Sequence, residues 1–404
     1  MKIFFSVGEP SGDLHGANLI RELGRRLSGC ETLGLGGPRM HRAGCRLLQD
    51  MSDLAVMGLF PVLAKLPRFF ALLREVERAL DAERPDAVVL IDYPGFNWHV
   101  ARQAKERGIP VFYYGLPQLW AWASWRVSKV RRFVDHALVK LPFEERWFRE
   151  RGCRATYVGH PYFDQLRGEQ YDHPLLDRLA MGPGRLVTIL PGSRTHEVHA
   201  NLPQLLRAAA RVRQHVPDVR FAIASYSERQ GALARRYVSQ ANVEAEVYVG
   251  STPELIASAH VCLATSGSVS LELLYHARPS VILYSVPWWT YAALRRFMKV
   301  RYITLVNLLT ADRIEIDDEH PAPYDSAHPS HRQVLMPEYP TCGDRSADIA
   351  RHAVEWLTDE PARQRLIGRM ERLKGELCRG GASARAADYI AAELAGQRQV
   401  RRVA

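Results

Sequence analysis

No apolar run in this 404-residue sequence approaches the roughly 20 residues that a membrane-spanning helix needs. Cysteine is scarce: Cys30, Cys45, Cys153, Cys262, Cys342 and Cys378 stand apart, with no Cys-x-x-Cys pair. That excludes a zinc ribbon and a dense disulfide framework, and it fits a reducing cytoplasm. The stretch Met1–Gly8 is too short for the apolar region of a secretory leader and runs straight into a turn motif. Asp-x-Asp is absent, which removes a metal-held nucleotide-sugar site of that type. The histidines within 315–344 follow no ligand spacing, so no metal is expected. Gly-x-Gly-x-x-Gly with its acidic partner is also absent; a nicotinamide has no support, and no cofactor is expected.

What is present is an ordinary globular composition, 47% apolar and 24% charged. The length suits about two or three domains. Lys and Arg number 54 against 44 Asp and Glu, a net charge of +10. That excess leaves three kinds of partner open: nucleic acid, an anionic membrane, or a phosphorylated substrate.

Short apolar runs alternate with helical patterns, the mark of an α/β chain with parallel sheets. Lys2–Val7, Ala87–Ile91, Val111–Tyr114, Ala137–Val139 and Ala155–Val158 form one set of strands. Leu186–Leu190, Arg220–Ala224, Glu246–Val249, Val261–Ala264 and Ser280–Tyr284 form a second. Tyr171–Gly184, between them, reads as a linker, and 315–344, rich in Pro, His and Asp, as a long loop or insertion. Two Rossmann-like domains are expected, over 1–172 and 184–365, followed by C-terminal helices over 366–404. Ligands of such sheets sit beyond the carboxyl ends of the strands, so residues just after each strand have first claim on function.

Three turns meet that condition. Gly8-Glu9-Pro10-Ser11-Gly12-Asp13 joins a strand to a helix; it is either an oxygen- or anion-binding turn or a cap with Ser11 or Asp13 at the N-cap. Pro191-Gly192-Ser193-Arg194 opens the second half in the same way, and its amides and guanidinium suit a pyrophosphate. Ser266-Gly267-Ser268, with Glu272 one turn on, repeats the theme; Ser268 or Ser270 is a capping candidate, and Glu272 suits a sugar hydroxyl. Asp92 follows Ala87–Ile91 directly and is either a general base or a turn-forming residue ahead of Pro94.

Residues 121–160 hold nine Lys/Arg against four Asp/Glu, beside the aromatic block Gln118-Leu119-Trp120-Ala121-Trp122. No nucleic-acid-reading signature accompanies them, so nucleic acid is not expected. Two segments suit an anionic leaflet if exposed, although burial is the ordinary fate of such residues. One carries Val56, Met57, Leu59, Phe60, Val62, Leu63 and Leu66; the other runs from Trp288-Trp289 to Arg301. Phe69, Leu72, Leu73, Val76 and Leu80 make one helical stripe of core character.

Taken in order, ten elements make the chain resemble the lipid-A-disaccharide synthase family. They are Gly8–Gly16, Gly36–Met40, Leu54–Gly58, Ile91–Asn97, Pro117–Trp122, Leu141–Glu144, Val158–Pro161, Leu190–Arg194 with Glu197, Ser266–Ser268 with Glu272, and Leu305–Leu309. The resemblance implies a glycosyltransferase-B fold, two Rossmann-like domains facing a central cleft, and an inverting, metal-independent hexosyltransferase of lipid A biosynthesis. UDP-2,3-diacylglucosamine would donate its sugar to the 6-hydroxyl of 2,3-diacylglucosamine 1-phosphate (lipid X), giving a β-1,6-linked disaccharide and UDP. Asp92 falls on the family's general base, Arg194 on the diphosphate arginine, and Asn307 and Glu272 on nucleotide-sugar contacts. The implied location is the cytoplasmic face of the inner membrane, bound peripherally to its anionic surface. A homodimer with exchanged C-terminal segments is an arrangement the family allows. The chain departs from the pattern at Gly115-Leu116-Pro117, where Ser-Pro is more usual, and after Leu309, where a glycine often follows. The rival readings are another UDP-sugar enzyme of this fold, such as a peptidoglycan glycosyltransferase or an epimerase, and a non-catalytic membrane-binding relative.

Overall fold

The computed structural model describes residues 1–51, 62–316 and 334–403. They divide into two compact units, Met1–Gln165 with Gly380–Ala404, and Leu166–Arg379.

The first unit is built on a seven-stranded parallel sheet. Its strands are β1 (Lys2–Val7), β2 (Glu31–Gly36), β3 (Cys45–Asp50), β4 (Ala87–Ile91), β5 (Val111–Tyr114), β6 (His136–Val139) and β7 (Ala155–Tyr157), in the order β3-β2-β1-β4-β5-β6-β7. β4, β5 and β6 are buried at every position, the outcome expected of strands covered by helices on both faces. The chain runs outward from β1 through β2 to β3 and then returns to place β4 on the other side of β1. The crevice of the sheet therefore opens between the carboxyl ends of β1 and β4. Val7 pairs with Ile91, so Gly8 and Asp92 leave the sheet side by side.

The second unit repeats the plan with six strands: β8 (Arg185–Leu190), β9 (Val219–Ser225), β10 (Glu246–Val249), β11 (Val261–Thr265), β12 (Ser280–Ser285) and β13 (Glu338–Thr341), in the order β10-β9-β8-β11-β12-β13. Its reversal lies between β8 and β11, where Leu190 pairs with Ala264. Gly192 and Ser266 follow those strands.

The C-terminal helix Ala382–Val403 returns to the first unit and packs on the helix Pro10–Arg26. Its Ala386, Ala387, Ile390 and Leu394 are buried with Leu19, Ile20 and Leu23. Burying Ile390 and Leu394 contributes about 1.5–3 kcal/mol each. Asp164 fixes the start of that helix by accepting from the amides of Ala382 (3.2 Å) and Ser383 (3.0 Å).

Several expectations need correction. The stretch read as a linker contains the helix His173–Met181, started by Asp172, which accepts from Leu175 N at 3.1 Å, with Pro174 in its first turn. Within the segment read as loop, Glu338–Thr341 forms the edge strand β13, paired in parallel with β12; residues 317–333 lie outside the described residues. Pro340 is tolerated there because the strand is an edge. The core stripe holds for Leu72, Val76 and Leu80, whereas Phe69 and Leu73 are only half-buried.

Candidate functional site

In the first unit the candidate residues gather at the ends of β1 and β4. Asp92 and Tyr93 both adopt left-handed backbone conformations, φ 48° and 45°. Two successive non-glycine residues in that region are strained, and the surroundings must hold them. Asn97 supplies much of that hold. It is fully buried, and its Nδ2 donates to Asp92 O at 2.7 Å, Ser6 O at 3.2 Å and Ile91 O at 3.3 Å. Its Oδ1 accepts from Ser6 Oγ at 2.7 Å. Tyr113 Oη also donates to Asp92 O, at 2.7 Å. The backbone is pinned while the Asp92 carboxylate stays about a quarter exposed, 3.8 Å from Lys140 Nζ. Of the two readings of Asp92, the geometry provides the turn conformation and the accessible carboxylate together.

Glycine makes that crowding feasible. A Cβ on Gly8 would stand 2.4 Å from the Tyr93 ring, so only glycine lets the first turn close on the second. Gly12 is likewise buried against Val7 and Asp92. The helix after this turn starts with Glu9 at its N-cap and Pro10 at its first position, correcting the expectation of Ser11 or Asp13. Asp13 instead reaches across to the turn after β2, where its carboxylate accepts from the amides of Gly37, Arg39 and Met40, each at 3.0 Å. Glu9, Ser11 and Gln118 are exposed.

His15 lies one turn further along the same helix and lines a small pocket with Ile91, Asp92, Tyr114, Gly115, Lys140 and Pro161. Burial lowers its pKa to about 4, opposed by Asp92 and reinforced by Lys140, so the ring is neutral at physiological pH. Glu144 holds the next turn in place: it accepts from Trp120 Nε1 at 2.9 Å and from the amides of Lys140 (2.9 Å) and Leu141 (3.0 Å). His15, Asn97 and Lys140 were not singled out as site residues. Asn97 stood in the Ile91–Asn97 element, but no spacing rule says which carbonyls an amide will find.

In the second unit the candidate residues lie at the ends of β8 and β11. The amides of Ser193 (2.9 Å) and Arg194 (3.0 Å) donate to Glu197 Oε2, so the turn is already capped from within its own helix, Thr195–His215. Gln230 is buried and donates through Nε2 to Ser193 O. The Arg194 side chain is 72% exposed and bonds Glu197 Oε1 at 3.0 Å. Gly192 is half-buried. After β11, Ser266 is half-buried, Gly267 and Ser268 are exposed, and Glu272 is buried in the helix Val269–Tyr275. Ser268 occupies the N-cap position without a side-chain cap, and Ser270 Oγ donates to Gly267 O at 2.9 Å.

Asn307 belongs to this unit but faces inward. It is fully buried; its Nδ2 donates to Met336 O at 2.7 Å and Glu338 Oε2 at 3.1 Å, and its Oδ1 accepts from Met336 N at 3.1 Å. Glu338 also accepts from Ile303 N and Thr304 N, while burial raises its pKa to about 7. Asn307 therefore joins the helix Leu305–Leu309 to β13 in this conformation.

Trp122 and Trp125 are half or more exposed, with the Arg126 guanidinium 5.2 and 5.9 Å from their ring centroids. The helix Trp288–Phe297 buries no residue, and Trp288, Trp289 and Phe297 are 75%, 50% and 65% exposed. Burial, the ordinary expectation, is overturned there. Of the other apolar patch, Val56, Met57, Leu59 and Phe60 lie outside the described residues, as do the side chains of Val62, Leu63 and Leu66. Among the described residues no helix is long and apolar enough to cross a membrane, and no three His, Cys, Asp or Glu side chains gather as metal ligands.

Comparison with known proteins agrees with this architecture. A family model described as lipid-A-disaccharide synthetase matches residues 3–317. The lipid-A-disaccharide synthase of Anaeromyxobacter sp. (strain K) is 34% identical over 397 residues, 96% of each chain. That of Geobacter sulfurreducens is 32% identical over 401 residues, 98% of each chain. Among solved structures, the UDP-GlcNAc 2-epimerase of Neisseria meningitidis bound to UDP-GlcNAc aligns with a TM-score of 0.60 at 12% identity, covering 97% of this chain and 99% of that one. The calicheamicin glycosyltransferase CalG4 aligns with a TM-score of 0.56 at 18% identity, covering 98% of both. At such identities these structures speak for the fold alone, two Rossmann-like domains of the glycosyltransferase-B kind. With a family model spanning most of its length and relatives aligned nearly end to end, this chain belongs to the lipid-A-disaccharide synthase family.

Proposed function

We propose that this lipid-A-disaccharide synthase uses Asp92 as the base that activates its acceptor sugar. The acceptor is 2,3-diacylglucosamine 1-phosphate and the donor UDP-2,3-diacylglucosamine. Asp92 takes the proton of the acceptor 6-hydroxyl as that oxygen attacks the donor's anomeric carbon. The bond from that carbon to the diphosphate oxygen breaks, UDP departs, and the new linkage is β-1,6 with inversion. Direct displacement needs one base and one stabilised leaving group, with no covalent nucleophile. Arg194 supplies positive charge for the departing diphosphate, and the amino end of Thr195–His215 adds its dipole. Gly192, Ser193, Ser266, Gly267, Ser268 and Glu272 frame the uridine-sugar side.

The observation that carries this reading is the partly exposed Asp92 carboxylate, held on a backbone that Asn97 and Tyr113 pin in a strained conformation. Such strain is kept where a site requires it. The exposed Trp and Arg residues suit an anionic membrane surface holding both acylated sugars. Exchange of the C-terminal helix between two copies is part of the proposal, because the same helix of a second copy would cover the same core surface. Light scattering tests it: twice the 45.7 kDa of one chain supports the dimer, and a single mass removes it.

The deciding experiment incubates the purified protein with both acylated sugars and measures UDP and disaccharide. Membrane binding without UDP release would sink the catalytic reading in favour of a non-catalytic relative. Epimerisation of a UDP-sugar without disaccharide would favour the epimerase rival.

A further inference from the structure

Beside Asp92 stands a cation that the displacement itself does not need. Lys140 follows β6, and its backbone is fixed by Glu144, which accepts from its amide at 2.9 Å. Its side chain lies over Gly115, where a Cβ would meet Cδ, Cε and Nζ at 3.2–3.3 Å. Gly115 also has φ +75°, a conformation that favours glycine. With no Cβ at this position, the Lys140 side chain lies close against the backbone of Gly115 on its way into the pocket.

The ammonium ends 3.8 Å from Asp92 Oδ1, too far for a hydrogen bond, and its side chain is 21% exposed. Among the described residues Nζ donates no hydrogen bond, so three donors of a partly desolvated cation face the pocket unused. Of the other polar groups lining that pocket, Asp92 is a carboxylate, while the His15 ring and the Tyr114 hydroxyl are neutral, so Lys140 is its one cation among the described residues. A second anion close to Asp92 is tolerable only with a cation between them.

The acceptor brings such an anion. In a hexopyranose 1-phosphate the 6-hydroxyl and the anomeric phosphate flank the same ring oxygen, so a base for one lies within a few bond lengths of any partner of the other. We propose that Lys140 binds the anomeric phosphomonoester of the acceptor sugar, selecting a phosphorylated acceptor while Asp92 activates its hydroxyl. This rests on the acceptor reading of Asp92 given above.

The test compares the acceptor 1-phosphate with its dephosphorylated analogue in the wild-type protein, Lys140→Met and Lys140→Arg, with the acylated UDP-sugar as donor. A charge-assisted contact predicts a wild-type acceptor KM about 10- to 100-fold lower with the phosphate than without it. In Lys140→Met that ratio should collapse toward one because KM for the phosphorylated acceptor rises, and Lys140→Arg should restore part of it. The donor KM, measured in the same runs, should stay within about twofold and reports that the variant is folded. A Lys140→Met variant that keeps the wild-type phosphate ratio overturns the proposal. So does a rise confined to the donor KM, which would assign Lys140 to the UDP diphosphate, or an equal loss of kcat with both acceptors, which would assign it to Asp92. Absence of UDP release by the wild-type protein with either acceptor would instead refute the underlying reading of the site.

Discussion

Glu197 occupies the amides of the turn that carries Arg194: its Oε2 accepts from Ser193 N at 2.9 Å and Arg194 N at 3.0 Å. The sequence of this turn suggests a pyrophosphate cradle made of free amides. With those amides taken, the anion contact falls to the exposed Arg194 guanidinium, itself tied to Glu197 Oε1. Arg194→Ala should therefore weaken UDP binding by roughly tenfold or more. Glu197→Gln keeps an acceptor for the amides but removes a negative charge from the diphosphate's side, so UDP should bind a few-fold more tightly. Titration calorimetry with UDP reads both. Unchanged affinity in Arg194→Ala would remove the arginine from the diphosphate site.

Asp92→Asn preserves the size of the side chain and every hydrogen bond to the Asp92 carbonyl. It should retain UDP-sugar binding while kcat falls about 10²- to 10⁴-fold, the usual contribution of a positioned general base. Asn97→Ala approaches the same centre differently, by releasing the backbone that Asn97 holds from Ser6 to Asp92. It should lose both activity and stability, by about 2–4 kcal/mol for several buried hydrogen bonds and a cavity. Rate assays and denaturant unfolding separate the two, since Asp92→Asn should keep its unfolding midpoint. Near-wild-type turnover in Asp92→Asn would return Asp92 to a turn-forming role.

The strands that frame both crevices were legible because a strand covered on both faces must be a continuous apolar run, as in Ala87–Ile91 and Val261–Thr265. The strands that escaped notice lack that signature. β2 carries two glycines, β3 is half polar and lies at an edge, and β13 contains Pro340. The residues after the strands, Asp92 and Arg194 among them, could be picked out because topology alone places ligands there. Long-range partners could not. Asp13 looked like a cap for its own helix, yet its carboxylate finds amides 24 to 27 residues away. Nothing in the local pattern of Trp288–Phe297 distinguishes a buried apolar face from an exposed one.

That exposed helix should govern membrane affinity. Trp288, Trp289 and Phe297 present aromatic surface next to Arg295 and Arg296, with the Arg296 guanidinium 5.8 Å from the Phe297 ring. Burying one such ring is worth about 1.5–3 kcal/mol, and each cation near an anionic surface adds about 1 kcal/mol. The combined change of Trp288, Trp289 and Phe297 to Ser should lower partitioning onto phosphatidylglycerol vesicles at least tenfold. Because none of the three is buried, the circular dichroism spectrum should stay the same. Equal sedimentation of the variant and wild-type proteins with such vesicles would rule this helix out as the contact.

Buried histidines, three of them held to about 4, work against the fold in mild acid. Burial lowers the pKa of His15, His276 and His352 to about 4 in each case, aided by neighbouring cations such as Lys140, Arg278 and Arg351. The unfolded chain takes up these protons near pH 6.5, whereas the folded one resists until about 4. Through these three groups the unfolded state binds more protons across that window, so the stability they contribute falls as pH drops through it and is lost by about 4. Arginine-held carboxylates such as Glu360, whose pKa is lowered to about 2, act only at more acid pH, so the upper part of the window is set by the histidines and, in the opposite sense, by Glu338, whose raised pKa of about 7 lets the folded state take up its proton first. His352 gives the cleanest separation, because its Nε2 meets Tyr339 Oη at 2.9 Å and a glutamine amide can serve the same hydroxyl. His352→Gln should make the fall between pH 6.5 and 5 shallower, by about 1.4 kcal/mol per pH unit at most. Urea unfolding at half-unit pH steps measures that slope, and identical slopes in the two proteins would show that His352 is not held neutral by the fold.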